Sequence, residues 1–427
     1  MLLEQWTREF HPAQHWRRTA SDFAVGHYTG SVVKLSRFLK PTIARLACLF
    51  VASRLALLVV GLLSTSLLPS GAGVQPGNLM WYQPASPPLE IWARWDAEWY
   101  LLIADKGYDV GDELAELGLA YERTAAAGFL PLYPLLIRVL TPVFGGLAAG
   151  VLISNFCLFL SLVLLDRLVR LEVGGEAGEL AGIVACAALL LHPSSLFLSA
   201  VYAESLFLVL SIGAFLGARM GRFAFAGILG GLATLTRPFG VLLLLPLVWE
   251  WWMWRDAADD AGPRYVRTLK GLWTLLVPAA LVGFMALSRA TFGDPLALFH
   301  RQERWRGGLS GPWRAFVRWW EAGPTAHGAH GSITELVIVL VCLAMLVMMA
   351  RKLRPSYTIY VAAAVSLALG STLWSFSRLS LTLFPFFMLI GEAWVNGRRC
   401  LPTVYAFIGC ALGGFFMALF ANWWWVG

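Results

Sequence analysis

The sequence runs to 427 residues, 58% hydrophobic and only 14% charged, with a formal net charge of +7. Soluble domains hold roughly 45–50% apolar and about 25% charged residues. No soluble fold buries this apolar share, so the chain reads as an all-α polytopic membrane protein.

In chain order, residues 1–42 carry Arg8, Arg17, Arg18, Lys34, Arg37 and Lys40 ahead of the first long apolar run. That charged region is too long for a signal peptide and reads as a retained cytoplasmic basic arm. The remainder, 43–427, is a transmembrane domain. Apolar runs predict spans near 43–68, 147–168, 179–192, 202–218, 223–236, 240–254, 271–290, 333–350, 356–373, 379–396 and 401–425, about eleven in all. The runs flanking His192-Pro193-Ser194-Ser195 and Thr236-Arg237-Pro238-Phe239-Gly240 are short for a crossing and predict broken or re-entrant helices.

Two large loops stand out, 69–146 and 291–332. In the first, Trp92, Trp95, Trp99 and Ile103 recur at helical spacing, which predicts an interfacial amphipathic helix with its tryptophans toward lipid. The apolar stretch Phe129–Arg138 is interrupted by Pro131 and Pro134 and is expected to pack under that loop as a proline-broken segment.

The positive-inside bias sets the orientation. With the arm cytoplasmic, the inside loops collect Arg167/Arg170, Arg219/Arg222, Arg255/Arg264/Arg267/Lys270, Arg351/Lys352/Arg354 and Arg398/Arg399. The loop 69–129 then lies outside with an acidic excess that includes Asp112, Glu113, Glu116 and Glu122. The 291–332 loop also falls outside yet holds Arg301, Arg304, Arg306, Arg314 and Arg318, so either the span count fails there or these arginines bind an anion. The positive charge does not point to nucleic acid, because the basic residues form no single stripe.

The polar residues set among apolar neighbours converge on the outer face. Ionisable groups at membrane depth usually pair, line a cavity or act on substrate. Asp96, beside Arg94 and flanked by tryptophans, has the setting of a general base, or of an interfacial carboxylate paired to Arg94. Glu204 opens an apolar helix, where a carboxylate also complements the positive end of the helix dipole. Arg237 and Arg378 suit a phosphate, or an ion pair such as one with Glu204. His192 and Tyr202 border the same region. His327 and His330 have i,i+3 spacing but only Glu321 as a third donor, so no metal site is expected. The six cysteines (Cys48, Cys157, Cys186, Cys342, Cys400, Cys410) form no CxxC pair and read as small core residues.

Several stretches resemble one family. Arg94-Trp95-Asp96-Ala97-Glu98-Trp99-Tyr100 through Gly107-Tyr108 is similar to the first-loop signature of the PIG-V family, the GPI mannosyltransferase 2 group with its prokaryotic relatives. Phe129-Leu130-Pro131-Leu132-Tyr133-Pro134, His192-Pro193-Ser194-Ser195 through Tyr202-Ala203-Glu204-Ser205-Leu206-Phe207, Leu232–Gly240 and Ser377-Arg378-Leu379 through Phe384-Pro385 follow in the family's order. His192 stands where Asn is usual, and Leu379 where Tyr is common. The resemblance implies a GT-C glycosyltransferase in a prokaryotic plasma (inner) membrane. It implies a polyprenyl-phosphate sugar donor, usually mannose, an acceptor glycolipid or glycan, and an extracytoplasmic site with Asp96 catalytic. Arg94, His192, Tyr202, Glu204, Arg237, Arg301, Arg304 and Arg378 are candidate donor-phosphate or substrate contacts, and no metal or other cofactor is implied. The competing reading is a transporter or flippase of a polyprenyl-linked or other anionic lipid. It would place polar groups mid-span and show similarity between halves, neither of which is evident in the sequence.

Overall fold

A computed structural model describes residues 32–71, 86–111, 124–257, 262–327 and 330–427, with 32–40 as backbone alone. Most of the basic arm and the acidic residues 112–122 lie outside the described residues. Among those described the architecture is helical, and the sole β feature is an isolated bridge between Thr325 and Ser332. Besides short helices at Pro87–Glu90 and Arg264–Lys270, the helices are α1 (Val32–Leu67), α2 (Asp96–Lys106), α3 (Leu132–Phe144), α4 (Gly146–Val173), α5 (Gly175–Leu190), α6 (Glu204–Arg219), α7 (Phe223–Thr234), α8 (Leu244–Ala257), α9 (Leu276–Phe292), α10 (Ala297–Arg306), α11 (Arg314–Ala322), α12 (Ile333–Lys352), α13 (Pro355–Leu369), α14 (Phe376–Thr382), α15 (Pro385–Val395) and α16 (Cys400–Ala421).

Each apolar run expected to span is helical. Five helical segments are long and apolar enough to cross a bilayer: Pro41–Leu67, Gly146–Val173, Arg264–Phe292, Ile333–Lys352 and Cys400–Ala421. The pair α14 and α15, bent by 67°, qualifies as a sixth if counted as one span. Their outer sides show Val51, Leu55, Val59, Leu63, Val282, Val337, Leu340, Val341 and Phe407 exposed, the surface a lipid-facing helix presents. Cys48, Cys400 and Cys410 lie on such outer surfaces while Cys157, Cys186 and Cys342 are buried, so only half the cysteines are core residues.

The shorter helices form the interior. At about 1.5 Å per residue the 16-residue α6 is about 24 Å long, short of the roughly 30 Å hydrocarbon layer. Irregular backbone at that depth is tolerated only where protein surrounds it, and residues 192–203 between α5 and α6 are all buried. Arg54 of α1 reaches into this break. Its Nη1 donates to the Ser195 carbonyl at 2.9 Å and its Nη2 to the Leu190 carbonyl at 3.4 Å, serving groups that the end of α5 leaves open. At the second break, between α7 and α8, a Cβ on Gly240 would stand 2.5 Å from the Thr234 backbone, so only glycine permits this return beneath Arg237.

Buried charges occupy both ends of the bundle. At one end Glu250 pairs with Arg354 (3.2 Å) and Arg219 (3.8 Å), Arg219 with Glu172 (2.6 Å), and Lys352 with Glu392 (2.7 Å). These are the loops whose Lys and Arg content sets the expected cytoplasmic side. The 291–332 loop packs at the other end. Its Arg318 donates to the Ser371 carbonyl at 2.8 Å and to the Arg306 carbonyl, stapling the loop to the end of α13.

Two expectations are corrected in the first loop. The tryptophans around α2 face protein rather than lipid: Trp92 is buried, Trp99 stacks on Phe129 at 5.7 Å, and Trp95 packs edge-on against Trp423 and Trp425. The chain beyond α16 folds back over α2 and takes the place lipid would have. Pro131 and Pro134 do not break the next segment, because Pro131 caps α3 and Pro134 lies in its first turn, where no helical N–H partner is lost.

Candidate active site

Asp96 is the first residue of α2, after a turn in which Trp95 takes φ 60° and ψ −117°. A side chain in that region costs on the order of 1–3 kcal/mol, so the surroundings must enforce it. Tyr202, fully buried, does so by donating its hydroxyl hydrogen to the Arg94 carbonyl at 2.9 Å and accepting the Asp96 N–H at 3.2 Å. Arg94 donates from Nε to the Ala421 carbonyl at 3.2 Å and lies 4.6 Å over the Trp423 ring, tying the turn to the chain's final segment.

From Asp96 a chain of alternating charges runs inward. Asp96 Oδ2 accepts from Arg378 Nη1 at 2.8 Å, and Arg378 Nε donates to Glu204 Oε1 at 2.8 Å. Arg237 Nη1 donates to that same oxygen of Glu204. The Arg378 guanidinium also lies over the rings of Tyr202 (4.9 Å), Phe197 (5.2 Å) and Trp425 (5.6 Å). Exposure separates the two carboxylates: the Asp96 side chain is 30% exposed and that of Glu204 0%. Asp96 is therefore open to a substrate, whereas Glu204 is a buried counter-charge for two guanidinium groups.

Arg306, at the end of α10, joins this cluster by donating to the Trp374 carbonyl at 3.3 Å. Burial, followed by the nearby Arg378 and Arg237 charges, lowers its pKa to about 10, so it stays cationic at neutral pH. The site thus gathers three guanidinium groups around Asp96 and Glu204, with the buried Glu335 behind them. The formal charges nearly balance, and the guanidinium groups offer planar donors that suit an oxyanion such as a phosphate.

A family model described as Mannosyltransferase (PIG-V) matches residues 82–249. Over that stretch the chain is similar to the PIG-V family. A protein named GPI alpha-1,6-mannosyltransferase 2 from Rattus norvegicus is 33% identical over 159 residues, covering 35% of this chain and 30% of the relative. Its Mus musculus counterpart is 33% identical over 161 residues, covering 36% and 30%. The matched part thus spans under a third of these relatives' length.

The matched stretch contains Arg94, Asp96, His192, Tyr202, Glu204 and Arg237, whereas Arg306 and Arg378 lie beyond it. Of the residues singled out from sequence, Asp96, Glu204, Arg237 and Arg378 meet directly and Arg94 and Tyr202 hold the turn that carries Asp96. His192 lies outside the ion chain. The Ser194 N–H donates to its Nδ1 at 3.1 Å, which leaves Nε2 to donate to Ser380 Oγ at 3.2 Å, so it braces α14 beside Arg378. Arg301 and Arg304 line a different pocket with Thr124, Asp294, His300 and Glu303. His330 contacts Thr372 Oγ1 at 3.2 Å, and Glu321 pairs with Arg314 at 3.6 Å. No cluster of three His, Cys, Asp or Glu residues suited to a metal occurs among the described residues.

Sequence reasoning did not single out Glu335. Ser332-x-x-Glu335 has the form of a capping box, and Ser332 does accept the Glu335 N–H at 3.2 Å. The Glu335 carboxylate instead accepts the N–H and the hydroxyl of Ser377, both at 2.7 Å, and so anchors the first turn of the helix that carries Arg378.

Proposed function

We propose that the protein is an integral-membrane mannosyltransferase that moves mannose, with inversion, from a polyprenyl-phosphate donor to a hydroxyl of a glycolipid or glycan acceptor. The observation that carries this reading is the chain Asp96–Arg378–Glu204–Arg237, in which one accessible carboxylate adjoins two guanidinium groups that share a buried counter-charge. The PIG-V match supplies the reaction class. In the displacement the acceptor oxygen attacks the anomeric carbon, the bond from that carbon to the phosphate oxygen breaks, and the acceptor proton passes to the Asp96 carboxylate. The phosphate departs as an anion stabilised by Arg378, Arg237 and Arg306, so no proton donor is required on that side. The scheme does not call for a metal.

The site faces the extracytoplasmic side in this reading, supported by the Lys- and Arg-rich loops at the opposite end. Asp96→Asn tests it in membranes supplied with radiolabelled polyprenyl-phosphate mannose. The expected result is loss of transfer with the protein still folded and inserted; transfer near the wild-type rate would remove Asp96 from the role of base.

A further inference from the structure

Among the described residues three non-glycine residues hold positive φ: Trp95 (60°), Ser375 (66°) and Trp423 (64°). Each lies at or within two positions of a tryptophan whose indole nitrogen is buried without a hydrogen-bond partner, namely Trp95, Trp374 and Trp425. Buried indole N–H groups ordinarily find an acceptor. The three rings are contiguous: Trp425 packs edge-on against Trp95 at 5.6 Å and against Trp374 at 6.1 Å. Asp96 follows Trp95 in the chain, Arg378 lies over Trp425, and Arg306 holds the Trp374 carbonyl. The rings themselves are half-buried.

Packing alone does not account for this combination. A cluster that served only to fill space would use side chains with no donor to bury and a relaxed backbone to carry them. Strained backbone at three points, holding three unspent neutral donors within a half-buried ring cluster that adjoins Asp96 through Trp95, describes a wall arranged for a ligand rich in acceptor oxygens. A pyranose ring fits it. Its C–H face is apolar and weakly positive and complements the negative face of an indole, and its hydroxyls accept from neutral donors. A phosphate would call on the guanidinium groups, and a polyprenyl chain on the apolar flanks.

We propose that Trp95, Trp374 and Trp425 form a wall that binds a hexopyranose ring of the substrates. The inference rests on the sugar-transfer reading above. The ring belongs either to the donor or to the acceptor, and the test separates the two. Full-length protein in lipid nanodiscs, prepared without maltoside detergent, is titrated with methyl α-D-mannopyranoside, with polyprenyl-phosphate mannose and with sugar-free polyprenyl phosphate. Trp374→Phe and Trp425→Phe each keep an aromatic ring and remove the N–H, and using both guards against one that misfolds.

Roughly tenfold weaker binding of a sugar-bearing probe is expected, with sugar-free polyprenyl phosphate unchanged within about twofold. Weakening of polyprenyl-phosphate mannose assigns the wall to the donor sugar, and weakening of the methyl mannoside alone assigns it to the acceptor. The inference is overturned if both variants bind the sugars as wild type does, or if the sugar-free lipid weakens equally. It is also overturned if the wild type takes the sugar-free lipid but neither sugar. A wild type that binds none of the three probes defeats the sugar-transfer reading itself.

Discussion

Arg378 meets Asp96 at 2.8 Å across 282 positions of sequence, and the same guanidinium meets Glu204 through its Nε. One side chain therefore sets the place of the accessible carboxylate relative to the buried one. Asp96→Asn keeps the shape of the site and removes the proposed base, so transfer is expected to fall by about 10²–10⁴-fold. A rate assay on folded, membrane-inserted protein checks this.

Glu204→Gln is expected to act differently. It leaves two buried guanidinium groups without their shared counter-charge, and breaking a buried pair from one side costs about 3–5 kcal/mol. Folded yield and melting temperature in detergent are expected to fall along with activity. If Glu204→Gln were as stable as wild type yet inactive, Glu204 would belong with the reacting groups instead.

Arg378→Lys retains a charge but cannot hold Asp96 and Glu204 with one planar fork. Activity is expected to drop at least tenfold, with most of the loss in kcat, because the carboxylate loses its fixed position. A change confined to the donor KM would make Arg378 a ground-state binding residue only.

Arg306 and Arg304 lie two residues apart yet face different surroundings. Arg306→Ala is expected to reduce transfer and weaken the donor's apparent affinity several-fold. Arg304→Ala is expected to leave both within about twofold. Steady-state kinetics on the two variants, run side by side, decide the matter; equal effects would mean that the whole helix, rather than one arginine, serves the phosphate.

Arg54→Leu is expected to destabilise the protein by about 1–3 kcal/mol, through the carbonyls it leaves unserved at the α5 break. Thermal unfolding in detergent measures it. Since the segment it supports leads into Tyr202 and Glu204, activity is expected to be lost at a lower temperature than in wild type, with little change in the cold.

Much of this was legible in the sequence. Each apolar run forms a helix because a bilayer leaves the backbone no other partner, and isolated charges such as Asp96, Arg237 and Arg378 were conspicuous against their apolar neighbours. What single positions do not reveal is which of those charges meet. Glu204 was weighed as a helix-start residue and as a partner of Arg237; its second partner lies 174 residues away. Glu335 was not singled out, because its use depends on Ser377, 42 positions away. The run Trp423-Trp424-Trp425 reads as the tail of a span, and only the fold-back over α2 gives it a place at the site. Arg301, Arg304 and Arg306 look alike in sequence, and the turn of one short helix separates them.

The helix α6 is fixed at both extremities, by Glu204 to Arg237 and Arg378 at one and by Arg219 to Glu172 and Glu250 at the other. A rod clamped in this way cannot slide along its own axis without giving up a buried charge pair. In the sugar-transfer reading, movement that admits a substrate therefore falls to the parts laid across the end of the bundle, the segment after α16 and the loop of α10 and α11. Asp96 and Trp95 then stand together on one side of the opening, and Trp425 on the side that moves.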